Sequence, residues 1–211
     1  MRLASRIATG GATLVAVFAA FGALTGAIAA ACTFYQIGEF YGIAVGGYCF
    51  GLQAAPNSTC GGIDGAVYIF PGPVFGAVFA PLLYFCRRLS AIGAVAYGLA
   101  AFAANAVAVS ICISLMHPVD DLLPFDNLAL DIAISGVIAG AVGGGLHGAA
   151  LTAFNSAARR TLPIEVAAGL GVLTPVVIML QDLGIFAFFI VWQSGYAAAV
   201  AASLPRLQKG A

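Results

Sequence analysis

Charged side chains are scarce in this chain, and their scarcity excludes most soluble folds. The 211 residues include eight Lys and Arg and eight Asp and Glu, so 8% of the chain is charged while 62% is hydrophobic. A soluble domain carries about 25% charged residues. We therefore expect much of the surface to face lipid. Since lipid-exposed backbone must satisfy its own hydrogen bonds, the predicted fold class is an all-α integral membrane protein.

Residue patterns typical of metal binding, nucleic-acid binding and catalysis are also missing. The five cysteines and two histidines form no Cys-x-x-Cys pair and no Cys/His cluster, so the sequence predicts no metal site and assigns no cofactor. The formal net charge of zero argues against nucleic acid as a partner. No nucleophile–base pair is evident, which makes an enzyme the least favoured function.

The eight cations lie in four pairs that long apolar stretches separate. They are Arg2, Arg6, Arg87, Arg88, Arg159, Arg160, Arg206 and Lys209. Lys and Arg in short loops are retained on the cytoplasmic side during membrane insertion. Each interval between pairs is long enough for two crossings, so the pattern predicts a six-helix transmembrane bundle with both termini in the cytoplasm. We expect such a multi-pass protein in the bacterial inner (plasma) membrane.

The six predicted helices form a single transmembrane domain that covers residues 1–211. Their approximate limits are 10–33, 66–86, 90–116, 129–154, 164–180 and 185–203. A span needs about 20 apolar residues, so the fifth and sixth helices are short. A predicted outer loop, 34–64, is rich in aromatic residues. It could lie at the headgroups, fold over the bundle as a lid, or dock another subunit.

The N-terminal segment also fits a second interpretation. Arg2 and Arg6, the apolar run that follows, and Ala29-Ala30-Ala31-Cys32 together resemble a signal peptide. Cleavage would leave five spans and an external N-terminus. The length of the apolar run favours a retained first helix.

Two cysteines of the predicted outer loop, Cys49 and Cys60, could form a disulfide. The bond requires that the outer side of the membrane is an oxidising compartment. Two unpaired thiols in a loop are the alternative.

Glycines recur every four residues on three predicted helices. This spacing places them on one helix face, where two backbones can approach closely, and such packing drives helix association in lipid. The glycines are Gly22 and Gly26 in the first helix, Gly72 and Gly76 in the second, and Gly136, Gly140, Gly144 and Gly148 in the fourth. We expect these stripes to face one another within the bundle, and an interface between copies of the chain is the alternative.

Prolines fall within two of the predicted helices. Pro71-Gly72-Pro73 and Pro81 lie in the second helix, and Pro175 follows Thr174 in the fifth. Proline removes a backbone donor and kinks a helix. Because broken helices often line transporter sites, the second helix is a candidate for the wall of a pathway, with an ordinary kink as the alternative.

Few polar side chains are predicted at membrane depth, and each is a candidate for a ligand site or a pathway. They are Asn105, Asp131, Ser135, His147, Gln193 and Ser194. His147 could relay a proton or bind a cofactor. The alternative is a neutral histidine that is hydrogen-bonded across helices to Asn105 or Gln193.

Two known architectures are similar to the predicted bundle. Rhomboid proteases resemble it in span number and orientation, but they need a G-x-S-G motif and a later histidine. Here Ala133 precedes Ile134-Ser135-Gly136 and no histidine follows His147, so that family is excluded. The size and topology are also similar to those of the substrate-binding subunits of energy-coupling-factor vitamin transporters, by architecture alone.

Two classes of function follow from these patterns. The first is a small-solute transporter, channel or substrate-binding membrane subunit, with a site between the second, fourth and sixth helices. The second is a non-catalytic structural or assembly subunit of a larger membrane complex, whose partners would be other membrane protein subunits as well as the lipid bilayer. The kinked second helix and the polar residues favour transport, and the scarcity of buried charge argues against coupling to ions.

Overall fold

A computed structural model describes six stretches of the chain, and helices account for most of them. The described residues are 11–34, 43–45, 48–50, 71–122, 127–158 and 161–204. Their helices are α1 (Gly11–Phe34), α2 (Pro71–Phe85), α3 (Ala91–Leu122), α4 (Leu128–Phe154), α5 (Thr161–Gly171), α6 (Pro175–Met179) and α7 (Gln181–Ser203). Apart from one short hairpin, the predicted helical fold class is confirmed.

The hairpin lies within the predicted outer loop. Strand β1 (Ile43–Val45) pairs antiparallel with β2 (Tyr48–Phe50), so that Ala44 lies opposite Cys49. The predicted disulfide of Cys49 falls outside the described residues, because Cys60 is not among them.

Four helices are long and apolar enough to cross a membrane, which indicates a membrane protein. The four segments are Gly11–Cys32, Ala91–Cys112, Leu128–Phe154 and Leu183–Ser203. Two further apolar helical segments, Pro71–Phe85 and Thr161–Val177, are shorter. The 15 residues of α2 rise about 22 Å, which is less than the hydrocarbon core of about 30 Å.

Large apolar side chains cover the outer surface of the helices. Examples on α1, α3, α4 and α7 are Phe21, Leu24, Ile92, Val95, Leu99, Ile138, Val142 and Val191. Exposed apolar surface of this extent marks a membrane or protein interface. It is consistent with contact between the helices and a lipid bilayer.

The helices close into a ring. From α2 to α5, each helix packs on the next one along the chain, and α5 and α6 both pack on α7. The ring is closed by α1, which packs on α2 and, most extensively, on α7. Helices that follow one another from α1 to α5 are therefore neighbours in space, and α7 adds contacts with both α1 and α5.

Glycines lie at the closest of these contacts, but the stripes do not face one another as we predicted. A Cβ placed on Gly22 or Gly26 of α1 would collide with the backbone of α7. A Cβ on Gly72 or Gly76 of α2 would lie 2.7 Å from a carbonyl oxygen of α3. Each stripe thus serves a different neighbour in the ring, because spacing along a helix specifies a face and not its partner.

The long stripe of α4 packs against α5. A Cβ on Gly136 would collide with Gly171, one on Gly140 with the carbonyl oxygen of Ala167, and one on Gly144 would lie 2.7 Å from a carbonyl of α5. The fourth glycine, Gly148, is buried as well.

Prolines suggested an interruption in the second helix and in the fifth, and of these two only the fifth is interrupted. Pro71 is the first residue of α2, a position where a missing N–H costs nothing. The helix continues through Pro81, which lies on its exposed side. In contrast, the predicted fifth helix divides into α5 and α6 at the turn 172–174, immediately before Pro175.

Two helix limits also differ from the prediction. Helix α3 continues to Leu122 where hydropathy placed its end near residue 116, because backbone hydrogen bonding does not stop where apolar side chains do. Helix α7 begins at Gln181 and not at residue 185. Gly184, which suggested a turn, lies inside α7 and allows close contact with Val176 of α6.

The helix ends that adjoin the four cation pairs meet at one end of the ring, here called the arginine end. The Arg88 guanidinium donates to the carbonyl of Leu204, 2.6 Å away, just after α7. The Asn155 amide, just after α4, donates to the Arg88 carbonyl at 3.0 Å. Gly11 and Ala157 line a second cavity, of about 440 Å³, together with Arg88 and Leu204. Segments next to all four pairs therefore share one end, as one-sided cations require.

A tight turn after α2 directs Arg88 into this position. The Arg88 N–H bonds the Leu83 carbonyl at 2.8 Å and the Arg87 N–H bonds the Tyr84 carbonyl at 2.9 Å, which is the pattern of a Schellman motif. Arg87 takes the left-handed conformation that this motif needs, with φ of 54°.

Candidate functional site

A cavity of about 450 Å³ lies inside the ring of helices. Six helices, from α2 to α7, contribute to its wall, while α1 stays outside. Sites for small molecules typically enclose about 300–1,000 Å³, so the cavity has the size of a ligand site.

Small residues on α3 and α4 create the space. One wall is formed by alanine and glycine residues, namely Ala101, Ala104, Ala108, Gly136, Ala139, Gly140 and Gly143. Part of the α4 glycine run therefore has a second effect, because the missing side chains leave volume in the cavity as well as room for α5.

Aromatic side chains form the opposite wall. They come mainly from α7 and are Phe188, Phe189, Trp192 and Tyr196, joined by Phe75 of α2. Among the described residues that line the cavity, none carries a charged side chain. The polar side chains at the wall are Asn105, Thr174, His147, Trp192 and Tyr196, with the thiol of Cys112.

An aromatic cluster surrounds His147 at the end of the cavity nearest the arginine end. The centroid of the His147 ring lies 5.1 Å from that of Tyr196, 5.5 Å from Tyr97 and 6.1 Å from Phe75. All three contacts are edge-to-face. Tyr196 also stacks on Trp192, with ring centroids 5.2 Å apart.

The hydrophobic core closes the cavity on that side. One turn farther along α2, α4 and α7, buried Phe79, Leu151 and Val200 follow the cluster residues. Phe18 of α1 packs on Phe79, with ring centroids 5.3 Å apart. Close-packed side chains thus separate the cavity from the arginine end.

Three buried polar groups of this cluster are unusual. His147 is 6% exposed, Tyr97 is 0% and Tyr196 is 1%. Within the described part of the protein, the His147 Nδ1 atom and the two tyrosine hydroxyls have no hydrogen-bond partner. Most buried polar groups in proteins are hydrogen-bonded, so such groups need an explanation.

Whether Nδ1 of His147 donates or accepts a hydrogen bond depends on the bond made by the other ring nitrogen, Nε2. It is hydrogen-bonded to the backbone of Ala101. Because the Ala101 N–H is used within α3, the acceptor is the Ala101 carbonyl, and His147 Nε2 donates. Nδ1 of the neutral ring is then an acceptor that faces the cluster.

No protein-family model, curated protein or solved structure matches this chain. The case for its function therefore rests on the cavity and the groups around it. Within the described part of the chain, no group of three or more His, Cys, Asp or Glu could hold a metal ion.

The cavity brings together part of the predicted polar set. Asn105 and His147 line it. Gln193 is 1% exposed and lies behind the wall, where its Nε2 donates to the Pro71 carbonyl at 3.3 Å. The partner of His147 is the Ala101 carbonyl, a backbone group that the sequence alternatives did not include.

Three predicted candidates do not line the cavity. Asp131 and Ser135 of α4 are 1% and 0% exposed. The backbone of Ser194 packs against Gly22 of α1. Asp131 and Ser135 are buried polar sites of the bundle, whereas Ser194 is half-buried, and none of the three is part of the cavity wall.

The sequence analysis missed three residues of the cluster, namely Tyr97, Trp192 and Tyr196. A signal was present, since each has a polar atom within an apolar span. Buried Tyr and Trp usually find a hydrogen-bond partner, and this preference marks such residues for inspection.

Proposed function

We propose that the protein binds a small solute in this cavity and acts as a transporter or as the substrate-binding subunit of one. The observation that carries the proposal is the cavity itself, which lies inside a bundle of apolar helices and is closed on the arginine side. Convergent polar groups in a largely apolar cavity are typical of small-molecule sites.

The interrupted fifth helix supports the same function. The break at 172–174 places Gly171 and Thr174 at the cavity wall. Non-helical backbone at membrane depth is tolerated where it is buried in protein or lines a cavity. Discontinuous helices frequently form the substrate sites of secondary transporters.

The topology we propose has six crossings and the arginine end in the cytoplasm of a bacterial cell. The cavity, which lies toward the other end, would then be closed to the cytoplasm. A solute would enter from the outer side, and its release inward would require that the packed core around Phe79 and Val200 separates.

The alternative function, an assembly subunit of a larger complex, has less support from the described helices. It depended on the glycine stripes and the aromatic outer loop as docking surfaces for other subunits, and most of that loop lies outside the described residues. At Gly22, Gly76 and Gly140 the stripes are covered by helices of the same chain. No other observation on the described residues favours assembly over solute binding.

A pair of adjacent residues on α4 tests the proposal. Ala139 lines the cavity, while Ile138 is 41% exposed on the lipid side. We expect Ala139→Phe to fill the cavity and abolish solute uptake, and Ile138→Phe to leave uptake unchanged. The measurement incubates proteoliposomes of each variant in a metabolite extract and compares their contents by mass spectrometry.

Wild-type and Ile138→Phe liposomes should retain at least one solute that Ala139→Phe and protein-free liposomes lack. Identical contents in all four preparations would contradict the proposal. Gel filtration and helical circular dichroism of Ala139→Phe establish that it is folded.

A further inference from the structure

The polar atoms of the cavity wall are turned away from the space that the wall encloses. Nδ1 of His147 and the hydroxyl of Tyr196 are fully buried in the protein, so these two side chains meet the cavity with carbon atoms. The Thr174 hydroxyl donates to the Gly171 carbonyl in the turn before α6. Although polar residues line the cavity, carbon therefore forms nearly all of its surface.

We infer that the cavity takes an apolar, uncharged molecule, a hydrocarbon or a closely similar compound, which reaches it from the lipid bilayer. The inference rests on the proposed solute-binding function and adds the chemistry of the ligand. The bilayer is the source because the transfer of an apolar molecule from water into lipid is favourable.

Water is a poor occupant of a cavity with a carbon surface. A buried water makes about three hydrogen bonds to polar groups, whereas apolar cavities in proteins stay dry and bind apolar molecules. Wall atoms that face a void lack neighbours on one side, and they regain dispersion contacts when an apolar ligand fills it. An apolar ligand thus gains contacts in the cavity without losing hydrogen bonds.

Charged and hydroxylated molecules lose more on entry than they gain. An ionised group gives up its hydration, and only a close opposite charge with further hydrogen bonds offsets that loss. Among the described residues of the wall, none carries a charged side chain. A hydroxyl group has a smaller hydration to lose, but the carbon surface replaces almost none of it.

The volume and the aromatic wall limit the ligand further. One water occupies about 30 Å³ of liquid, so a cavity of about 450 Å³ corresponds to about 15 non-hydrogen atoms. The rings of Phe188, Trp192 and Tyr196 at the wall make offset or edge contacts with an aromatic ligand. An aromatic or unsaturated hydrocarbon of this size therefore fits best.

The chain contains its own reporter for an experiment, because Trp192 is its single tryptophan and lines the cavity. Bromine quenches tryptophan fluorescence on contact. Three probes of similar shape differ in one substituent: para-bromotoluene has a methyl group, para-bromobenzyl alcohol a hydroxymethyl group, and para-bromobenzoate a carboxylate that is ionised at neutral pH. Each is titrated into the full chain in lipid nanodiscs, and affinities are compared at equal concentration in the lipid.

We expect para-bromotoluene to quench Trp192 saturably. The alcohol should bind about tenfold more weakly, since its hydroxyl is buried without a partner. The benzoate should give no saturable quenching. In Tyr196→Phe all three results should be unchanged, because the cavity does not reach the hydroxyl that this variant removes.

A hydroxyl placed on the wall should reverse the discrimination against the alcohol. Ala104 lines the cavity and its neighbour Ala103 is exposed on the outer side of α3. In Ala104→Ser the serine oxygen can accept a hydrogen bond from the alcohol, so the preference for the toluene should fall from about tenfold to about one. Ala103→Ser, the matched control, should keep the wild-type preference.

The concentration of each probe in the lipid is measured with a second reporter. The variant Trp192→Phe/Leu99→Trp moves the tryptophan to an exposed position on α3, where Leu99 is 68% exposed. Quenching there should rise linearly with probe concentration and should not saturate.

Two sources supply hydrocarbon in a membrane, a dissolved molecule and the tail of a bilayer lipid. Nanodiscs of brominated lipid distinguish them. If a lipid tail occupies the cavity, the lipid quenches Trp192, and para-xylene, which has no bromine, relieves the quenching by displacing the tail. If para-xylene relieves none of the quenching, a dissolved molecule is the ligand. Both results agree with an apolar ligand.

The outcomes separate the inference from the function beneath it. Saturable binding of the alcohol or the benzoate as tight as that of the toluene would overturn the apolar class and leave solute binding intact. An unchanged preference in Ala104→Ser would show that the probe binds outside this cavity, and would overturn the inference as well. If no probe quenched Trp192 saturably, the inference would fall, while the liposome assay with Ala139→Phe would still decide the proposed function.

Discussion

At the scale of single residues, two glycines of α4 have opposite surroundings. A Cβ on Gly140 would collide with the carbonyl oxygen of Ala167, whereas a Cβ on Gly145 would meet nothing within 4 Å. Gly140→Ala should therefore lower the free energy of unfolding by about 1–3 kcal/mol through overpacking. Gly145→Ala should raise it by about 0.5–1 kcal/mol, since alanine restricts the unfolded chain more than glycine. Thermal unfolding in detergent, followed by circular dichroism, measures both.

Gly145→Ala is the matched control for the Gly140 variant, because both changes add one methyl group to the same helix. Equal shifts in melting temperature for the two variants would show that α4 and α5 are not in close contact. The sequence pattern distinguishes these glycines only partly: four-residue spacing selects Gly140 and omits Gly145, but it does not identify Ala167 as the neighbour.

The cluster around His147 shows where residue-scale prediction ends. His147 and Asn105 could be selected from the sequence, because polar atoms in an apolar span are few. Tyr97 and Tyr196 could not be placed beside His147, since their proximity depends on the order of α3, α4 and α7 around the ring. That order follows from tertiary packing and not from the pattern within any one helix.

At the scale of helices, the Gln193 side chain joins α7 to the first residue of α2. Besides this hydrogen bond, side-chain packing joins the two helices, with the ring centroids of Phe75 and Tyr196 5.7 Å apart. Gln193→Leu keeps a similar volume and removes the donor to the Pro71 carbonyl, so it should destabilise the protein by about 1 kcal/mol. We expect faster amide hydrogen exchange in α2, measured by mass spectrometry on the protein in nanodiscs.

Ser194→Ala provides the control for the Gln193 variant. It changes the adjacent residue, whose side chain is only half-buried, and it should leave exchange in α2 as in the wild type. Unchanged exchange in Gln193→Leu would show that the bond to Pro71 does not hold α2 in place.

Proline content alone could not decide which helix is interrupted. Pro71 falls at the first position of α2, where it fits without loss of a bond, and Pro81 is accommodated within the helix. Before Pro175, the Thr174 hydroxyl donates to the Gly171 carbonyl, and the turn is stabilised locally. A hydropathy profile does not show whether a proline lies at the first position of a helix or in its interior. It also does not show that a side chain such as Thr174 hydrogen-bonds a backbone carbonyl at the turn.

At the scale of the whole molecule, the positions of the cations predict orientation. In a variant without native cysteines, Ala157→Cys lies in an exposed turn at the arginine end, and Leu128→Cys lies at the start of α4, where Leu128 is 60% exposed. A membrane-impermeant maleimide added to intact cells should label Leu128→Cys only. One-sided Lys and Arg are retained in the cytoplasm, which is the basis of this expectation.

Permeabilised cells are the control, and both cysteines should then react. Labelling of Ala157→Cys in intact cells would place the arginine end outside and reverse the proposed topology. The side to which the cavity is closed would be reversed with it.

The closure of the ring between α1 and α7 has a consequence for synthesis of the protein. Of the described helices, the one that is synthesised first packs most extensively on the one that is synthesised last. Until α7 is inserted, the face of α1 that contains Gly22 and Gly26 cannot reach its final partner, and the aromatic wall of the cavity does not yet exist. Until then, this face of α1 contacts lipid or other membrane proteins. Premature termination anywhere before α7 would yield a product with an open ring and no solute site, which is a recognisable target for membrane quality control.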